Sequence, residues 1–146
     1  MVYEWSGWQP LDRPALYNRL AVYKIRLIQH DLPASIPRFL GVDTAGMLSI
    51  GKTTNMETRR LQFIRGTEKG RGHSSGNLLH LLRQHSPLMI TFPEHRYEYT
   101  FVQVKELGEE TTLEEAEIKA YVRTFGEVPP LNSAIPDRYG EWGVKE

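Results

Sequence analysis

The chain has 146 residues, enough for one hydrophobic core and too few for two. A hydrophobic fraction of 40% and a charged fraction of 25% are ordinary for a folded globular protein and argue against wholesale disorder. The absence of cysteine excludes disulfides, thiolate zinc sites and a cysteine nucleophile, and 18 basic residues balance 18 acidic ones, so bulk charge gives no pull toward nucleic acid.

A cysteine-free chain fits a reducing compartment, and the cytoplasm is the expected location. The first ten residues, MVYEWSGWQP, have neither a basic start nor an apolar run of signal-peptide length, and no segment approaches a membrane span, so no membrane association is expected. Charge is segregated along the chain. Residues 52–71 carry Lys52, Arg59, Arg60, Arg65, Lys69 and Arg71 against only Glu57 and Glu68, whereas 106–117 is strongly acidic. Any contact with nucleic acid is therefore expected to be local.

Taken in order, residues 1–19 form an aromatic and proline-rich lead-in whose Trp5 and Trp8 are expected to pack over one end of the core. Residues 20–29, LAVYKIRLIQ, alternate as a strand, with Val22, Lys24 and Arg26 on one face and Tyr23, Ile25 and Leu27 on the other. Pro33 and Pro37 make 30–38 a loop. FLGV and MLSI flank a turn at 43–46 and read as a hairpin.

Thr54 or Asn55 caps a first helix that is expected to run to about Arg65. The stretch 66–76, GTEKGRGHSSG, reads as a glycine-rich basic loop. Ser75 opens a second helix with Leu78, Leu79, Leu81 and Leu82 as its core face, stopping at Ser86-Pro87. LMITF and YEYTFVQVKEL are further strands. Thr112 and Glu115 fit a capping box for a third helix ending at Gly126, and the proline-bearing tail is expected to wrap the surface.

The stretch 47–61, MLSIGKTTNMETRRL, combines a strand, a polar turn and a helix start with Lys52, Arg59 and Arg60, which suits a phosphate. A solvated basic helix face is the plainer reading. Tyr23 in mid-strand is by the same token a core tyrosine. His73 is either a simple loop residue or an exposed base or phosphate contact.

On the third helix, Leu113, Ala116, Ala120, Tyr121 and Phe125 define an inward stripe that includes Glu117. That carboxylate needs a cation, an arginine or a metal ion, unless it sits at the helix edge and reaches water or a lysine. Glu114, Ile118, Tyr121, Val122 and Phe125 make a rival stripe, and periodicity leaves both glutamates open.

The ordered set is more specific than its members. AVYKI, LSIGKTTNMETRRL, the H-x-x-G at His73, a helical glutamate and PPLN together resemble the GIY-YIG nuclease family over about residues 20–132. Ala21-Val22-Tyr23 and Ser49-Ile50-Gly51 occupy the two signature triplets, with serine in place of the second tyrosine. Lys52, Asn55 and Arg59 match the run G-K-x-x-N-x-x-x-R, and Asn132 matches the closing asparagine.

The resemblance implies an α/β (α+β) domain spanning 1–146, with a lead-in at 1–19, a nuclease-like core at 20–132 and a tail at 133–146. Its centre would be a mostly antiparallel three-stranded sheet flanked by helices. It further implies an endonuclease hydrolysing DNA phosphodiester bonds with one Mg²⁺ or Mn²⁺, held by Glu117 in preference to Glu114 because its apolar neighbours fit the family's helix better. Arg59 would offset charge on the phosphate, Tyr23 would activate the attacking water, and Lys52 and His73 would assist. Ser49, Gly51, Asn55, Arg60 and Asn132 complete the expected substrate side. Substrate choice would come from the 66–76 loop or from a protein partner, and the alternative is a nucleic-acid-binding or interaction module that keeps the fold without catalysis.

Overall fold

In a computed structural model, residues 3–86 and 96–132 are described. The lead-in contributes a short strand, β1 (Gln9–Pro10), and β2 (Ala21–Gln29) follows as the longest strand. A tight turn at His30 and Asp31, both at positive φ (53° and 65°), folds the chain back as β3 (Leu32–Pro33). The expected loop at 30–38 is thus partly strand.

Next come β4 (Ile36–Arg38), β5 (Gly41–Asp43) and β6 (Met47–Thr53). β5 pairs with β4 in a separate two-stranded ribbon, and β6 pairs with β2, so the hairpin expected between FLGV and MLSI does not form. Asp43 causes the redirection. Its buried carboxylate accepts from the backbone of Ala45 and Met47 and from the Tyr121 hydroxyl, turning the chain out of the ribbon and into the main sheet.

The remaining elements are α1 (Met56–Lys69), α2 (Ser74–His85), β7 (Arg96–Gln103) and α3 (Glu109–Phe125). The fold is mixed α and β with an antiparallel main sheet of five strands. β2 lies between β6 and β7, β1 flanks β7, and β3 extends β2 at its far end. Three long strands match the expected sheet, and the two short ones were not legible because two residues carry no alternation.

The alternation along β2 sorts the core into two layers. Tyr23 and Ile25 join Met56, Phe63 and Leu79 on the face covered by α1 and α2, whereas Val22 joins Ile50, Ile118 and Tyr121 beneath α3. Trp5 and Trp8 pack against the α3-side layer, as expected. Lys24 and Arg26 each lie 4.3 Å from the ring centroid of Trp5 and Trp8 respectively.

α1 runs four residues beyond its expected end, to a left-handed Gly70, so most of the supposed glycine loop is helix. Gly66 and Gly76 instead let α1 and α2 cross at contact distance. A Cβ on Gly76 would stand 2.7 Å from the Phe63 carbonyl and 3.0 Å from the Gly66 Cα. Gly76→Ala is expected to destabilise the protein by about 1–3 kcal/mol through overpacking, measurable as a lower denaturant midpoint with unchanged slope. Of the leucines expected to form the core face of α2, only Leu79 is buried, and Leu78, Leu81 and Leu82 are exposed.

The N-cap of α3 is Gly108, ahead of the expected Thr112 cap, and its C-cap is Gly126, the expected helix end. Its inward face is the second of the two stripes: Ile118 and Tyr121 are buried with Val122 and Phe125 beside them, and Ala116 and Ala120 are exposed. Among the described residues no helix is long and apolar enough to cross a membrane. The LMITF segment and the tail from residue 133 lie outside the described residues.

Candidate active site

Tyr23 occupies the middle of the central strand, directly opposite Gly51 on β6. The absence of a side chain at Gly51 is what admits the phenol, since a Cβ built there would collide with the Tyr23 hydroxyl. The ring therefore leans across β6 toward the sheet edge.

α1 is placed there by its first turn. The Asn55 side chain accepts from the Thr58 N–H (3.1 Å), and the Met56 and Glu57 N–H groups donate to the carbonyls of Arg19 and Tyr17. Asn55, expected among the substrate contacts, is a helix cap. One turn on, Arg59 Nε donates to the Tyr23 hydroxyl at 3.3 Å, and its Nη1 donates to Gln62 at 3.0 Å.

α2 delivers His73 from the other side. The Gly76 N–H donates to His73 Nδ1 (3.3 Å), and Nε2 lies 3.1 Å from the Tyr23 hydroxyl. An N–H can only donate, so Nδ1 keeps its lone pair and Nε2 carries the proton, which it gives to the phenol oxygen. Tyr23 thus accepts from both Arg59 and His73, and its own proton is left for whatever enters the site. His73 is buried, not an exposed loop residue, and both ring nitrogens are engaged, one by the Gly76 N–H and the other by the Tyr23 hydroxyl.

Electrostatics follow from burial. Burial raises the Tyr23 pKa, with Arg59 opposing. Burial and then the Arg59 charge push His73 down to about 4, so it is neutral near pH 7. For a group depressed on folding, stability is complete above the unfolded histidine value and is lost as pH falls toward the folded one. Between about pH 6.5 and 4 the wild type should lose up to roughly 3 kcal/mol on this account. His73→Asn, which can still cap α2, should flatten that segment of a stability-against-pH curve.

The cleft beside these groups has a volume of about 240 Å³ and is lined by Tyr23, Lys52, Arg59, His73, Glu114 and Asn132, among others. Burial raises the Glu114 pKa, and the positive charges of Lys52 and Arg59 oppose that shift. The Lys52 ammonium donates to Thr111 Oγ1 at 2.9 Å.

Glu117, Arg60, Ser49 and Asn132, all expected in the site, have their side chains engaged by other groups. Glu117 lies 2.9 Å from the Lys24 ammonium under the sheet, on the face opposite Tyr23, so Glu114 and not Glu117 is the glutamate of this cleft. The physical reason is the choice of stripe: with Ile118 and Tyr121 turned inward, the residue one turn before Ile118 reaches past the edge of β6, and Glu117 meets a lysine. Arg60 is buried, clamped by both oxygens of Glu57 (2.8 and 2.6 Å) and by the Leu11 carbonyl (2.8 Å), which rules it out as a substrate contact in this arrangement.

Ser49 is buried too. Ser75 donates to the Leu131 carbonyl (3.1 Å), so it accepts from Ser49 (3.1 Å), and the chain ties β6 to α2. Asn132 uses its amide twice on Ile50, accepting from its N–H and donating to its carbonyl, both at 2.9 Å. It braces β6 at the cleft and has its amide committed there.

Among the described residues no group of three or more histidine, aspartate or glutamate side chains gathers at one point. A hard divalent ion nonetheless suits the donor set, because Mg²⁺ is commonly held by one or two carboxylates with water and substrate phosphate completing its shell. Glu114 is the carboxylate available. Thr111 and Ser75 were not singled out from sequence: Thr111 precedes the expected helix start, and Ser75 reads as a helix opener. No family model, curated protein or solved structure matches this chain.

Proposed function

We propose that this cleft hydrolyses phosphodiester bonds in nucleic acid, with DNA as the substrate and one Mg²⁺ or Mn²⁺ as cofactor, in the manner of the GIY-YIG nucleases that the sequence resembles. The observation that carries the reading is the Tyr23 hydroxyl held between Arg59 and His73, facing the half-buried carboxylate of Glu114. Two N–H donors stabilise the phenolate, the form able to take a proton from an attacking water, against the burial that favours the phenol.

Arg59 commits Nε and Nη1 to Tyr23 and Gln62, which fixes the guanidinium plane and leaves Nη2 to meet a phosphate oxygen. Lys52, exposed at the rim, adds a second positive charge for the phosphate. Glu114 would hold the divalent ion, which when bound supplies Lewis-acid polarisation of the phosphate. His73 and Gly51 serve Tyr23, one by orienting it and the other by leaving it room.

A second reading, binding without cleavage, is favoured by Ser49, whose hydroxyl is buried in the Ser75 link where the family places a second phenol. One experiment separates the two. Purified protein with Mn²⁺ or Mg²⁺ is expected to nick supercoiled plasmid or cut branched DNA, with loss of activity in EDTA. Intact DNA together with measurable, salt-sensitive binding would select the second reading.

A further inference from the structure

We propose that a single nucleic-acid strand leaving the cleft is laid along α1, with its phosphates held by Arg65, Lys69 and Arg71. The inference deepens the nuclease reading and rests on it for the position of the reacting group. Four cations of the sheet and its flanks are paired: Lys24, Arg26, Arg38 and Arg60 each stand 2.6–2.9 Å from a carboxylate oxygen. Arg65, Lys69 and Arg71 are exposed and have no carboxylate partner among the described residues.

They are also continuous with the cleft. Arg59, Gln62, Arg65 and Lys69 follow one another at steps of three or four, so they share one flank of α1. The Arg59–Gln62 bond shows the first step physically made. At the far end, Gly70 and Gly72 (φ 72° and 97°) reverse the chain, and the Arg65 side chain lies 3.8 Å from where a Gly72 Cβ would stand, which brings Arg71 beside the end of the stripe. From Arg59 to Lys69 the rise along α1 is about 15 Å, long enough to follow more than one phosphate of a strand.

Residues 106–117, which lead into and open α3, carry no basic side chain, and Glu114 lines the cleft on that side. One phosphate backbone is attracted along α1, and no second basic track on the α3 side awaits the other strand of a duplex. Glu68, exposed on α1, flanks the stripe and moderates its charge without interrupting it. The substrate this selects is single-stranded DNA or an unpaired overhang.

The test is fluorescence anisotropy in EDTA, so that binding is read without cleavage, using a labelled 12-nucleotide single strand and the blunt duplex of the same sequence. The wild type should bind the single strand at least as tightly as the duplex. The triple variant Arg65→Gln/Lys69→Gln/Arg71→Gln should bind it about tenfold or more weakly at low salt, and the slope of log K against log salt should fall by about 2. These exposed substitutions should leave the thermal midpoint nearly unchanged, so lost folding would not mimic the result. A duplex preferred tenfold, or an unchanged salt slope in the triple variant, overturns the strand path. A protein that binds through the stripe yet never cuts with Mn²⁺ defeats the nuclease reading and leaves the path standing; one that cuts but is indifferent to the triple substitution does the reverse.

Discussion

Glu114→Gln is expected to lower the rate of metal-dependent cleavage by about 10²–10³-fold or more, while Glu117→Gln leaves it within a few-fold of wild type. Glutamine keeps the shape of the side chain and removes the charge on which a divalent ion depends. Glu117 spends its charge on Lys24 across the sheet, so its replacement touches a partly exposed ion pair worth no more than about 1 kcal/mol. Plasmid nicking by the two variants at equal protein and Mn²⁺ concentration makes the comparison. Sensitivity at Glu117 with indifference at Glu114 would remove the assignment.

The same residue sets a pH dependence. Burial raises the Glu114 pKa, so its carboxylate is lost at a higher pH than an ordinary glutamate would lose it. Affinity of the free protein for Mn²⁺ should therefore begin to fall on acidification above the usual glutamate range, because the ion must displace the proton. In Glu114→Gln that pH dependence should be absent.

Tyr23→Phe is expected to reduce the rate by about 10²–10⁴-fold, the range for loss of a positioned acid or base. The ring still fills its place over Gly51, so packing survives, but His73 Nε2–H and Arg59 Nε–H lose their shared acceptor, at a cost of about 1–3 kcal/mol in stability. A rate near wild type in Tyr23→Phe would leave the phenol a purely structural role. Gly51→Ala is the geometric counterpart, because it keeps the hydroxyl and drives it from its seat. It should lose activity to a similar degree, and a far-from-site stabilising condition such as added osmolyte should not restore it.

Local signals in the sequence were reliable where one residue decides one bond. Asn55 caps α1, Gly126 ends α3, and the alternation of residues 20–29 places Tyr23 and Val22 on opposite faces. They failed where the same residues serve two arrangements. Glycine reads as flexible chain, but Gly66 and Gly76 are small because two helices touch there. A polar turn between apolar runs reads as a hairpin, but buried Asp43 sends the chain to a different partner strand. His73 reads as exposed because its neighbours are polar, whereas its ring is taken up by capping α2 and meeting Tyr23.

What the sequence determined by itself is the order and type of the long elements and the set of residues from which a site could be built: Tyr23, Lys52, Arg59, His73 and a glutamate on the last helix. Only the tertiary structure decided which glutamate. The two stripes on α3 share Tyr121 and Phe125, so hydrophobic periodicity is satisfied by either rotation of the helix about its axis. Packing against the sheet removes that degeneracy, since Ile118 and Tyr121 fill the layer beneath Val22 and Ile50 while Lys24 claims Glu117. Glu114 is left at the open edge of β6 beside Arg59, and the candidate chemistry moves there with it.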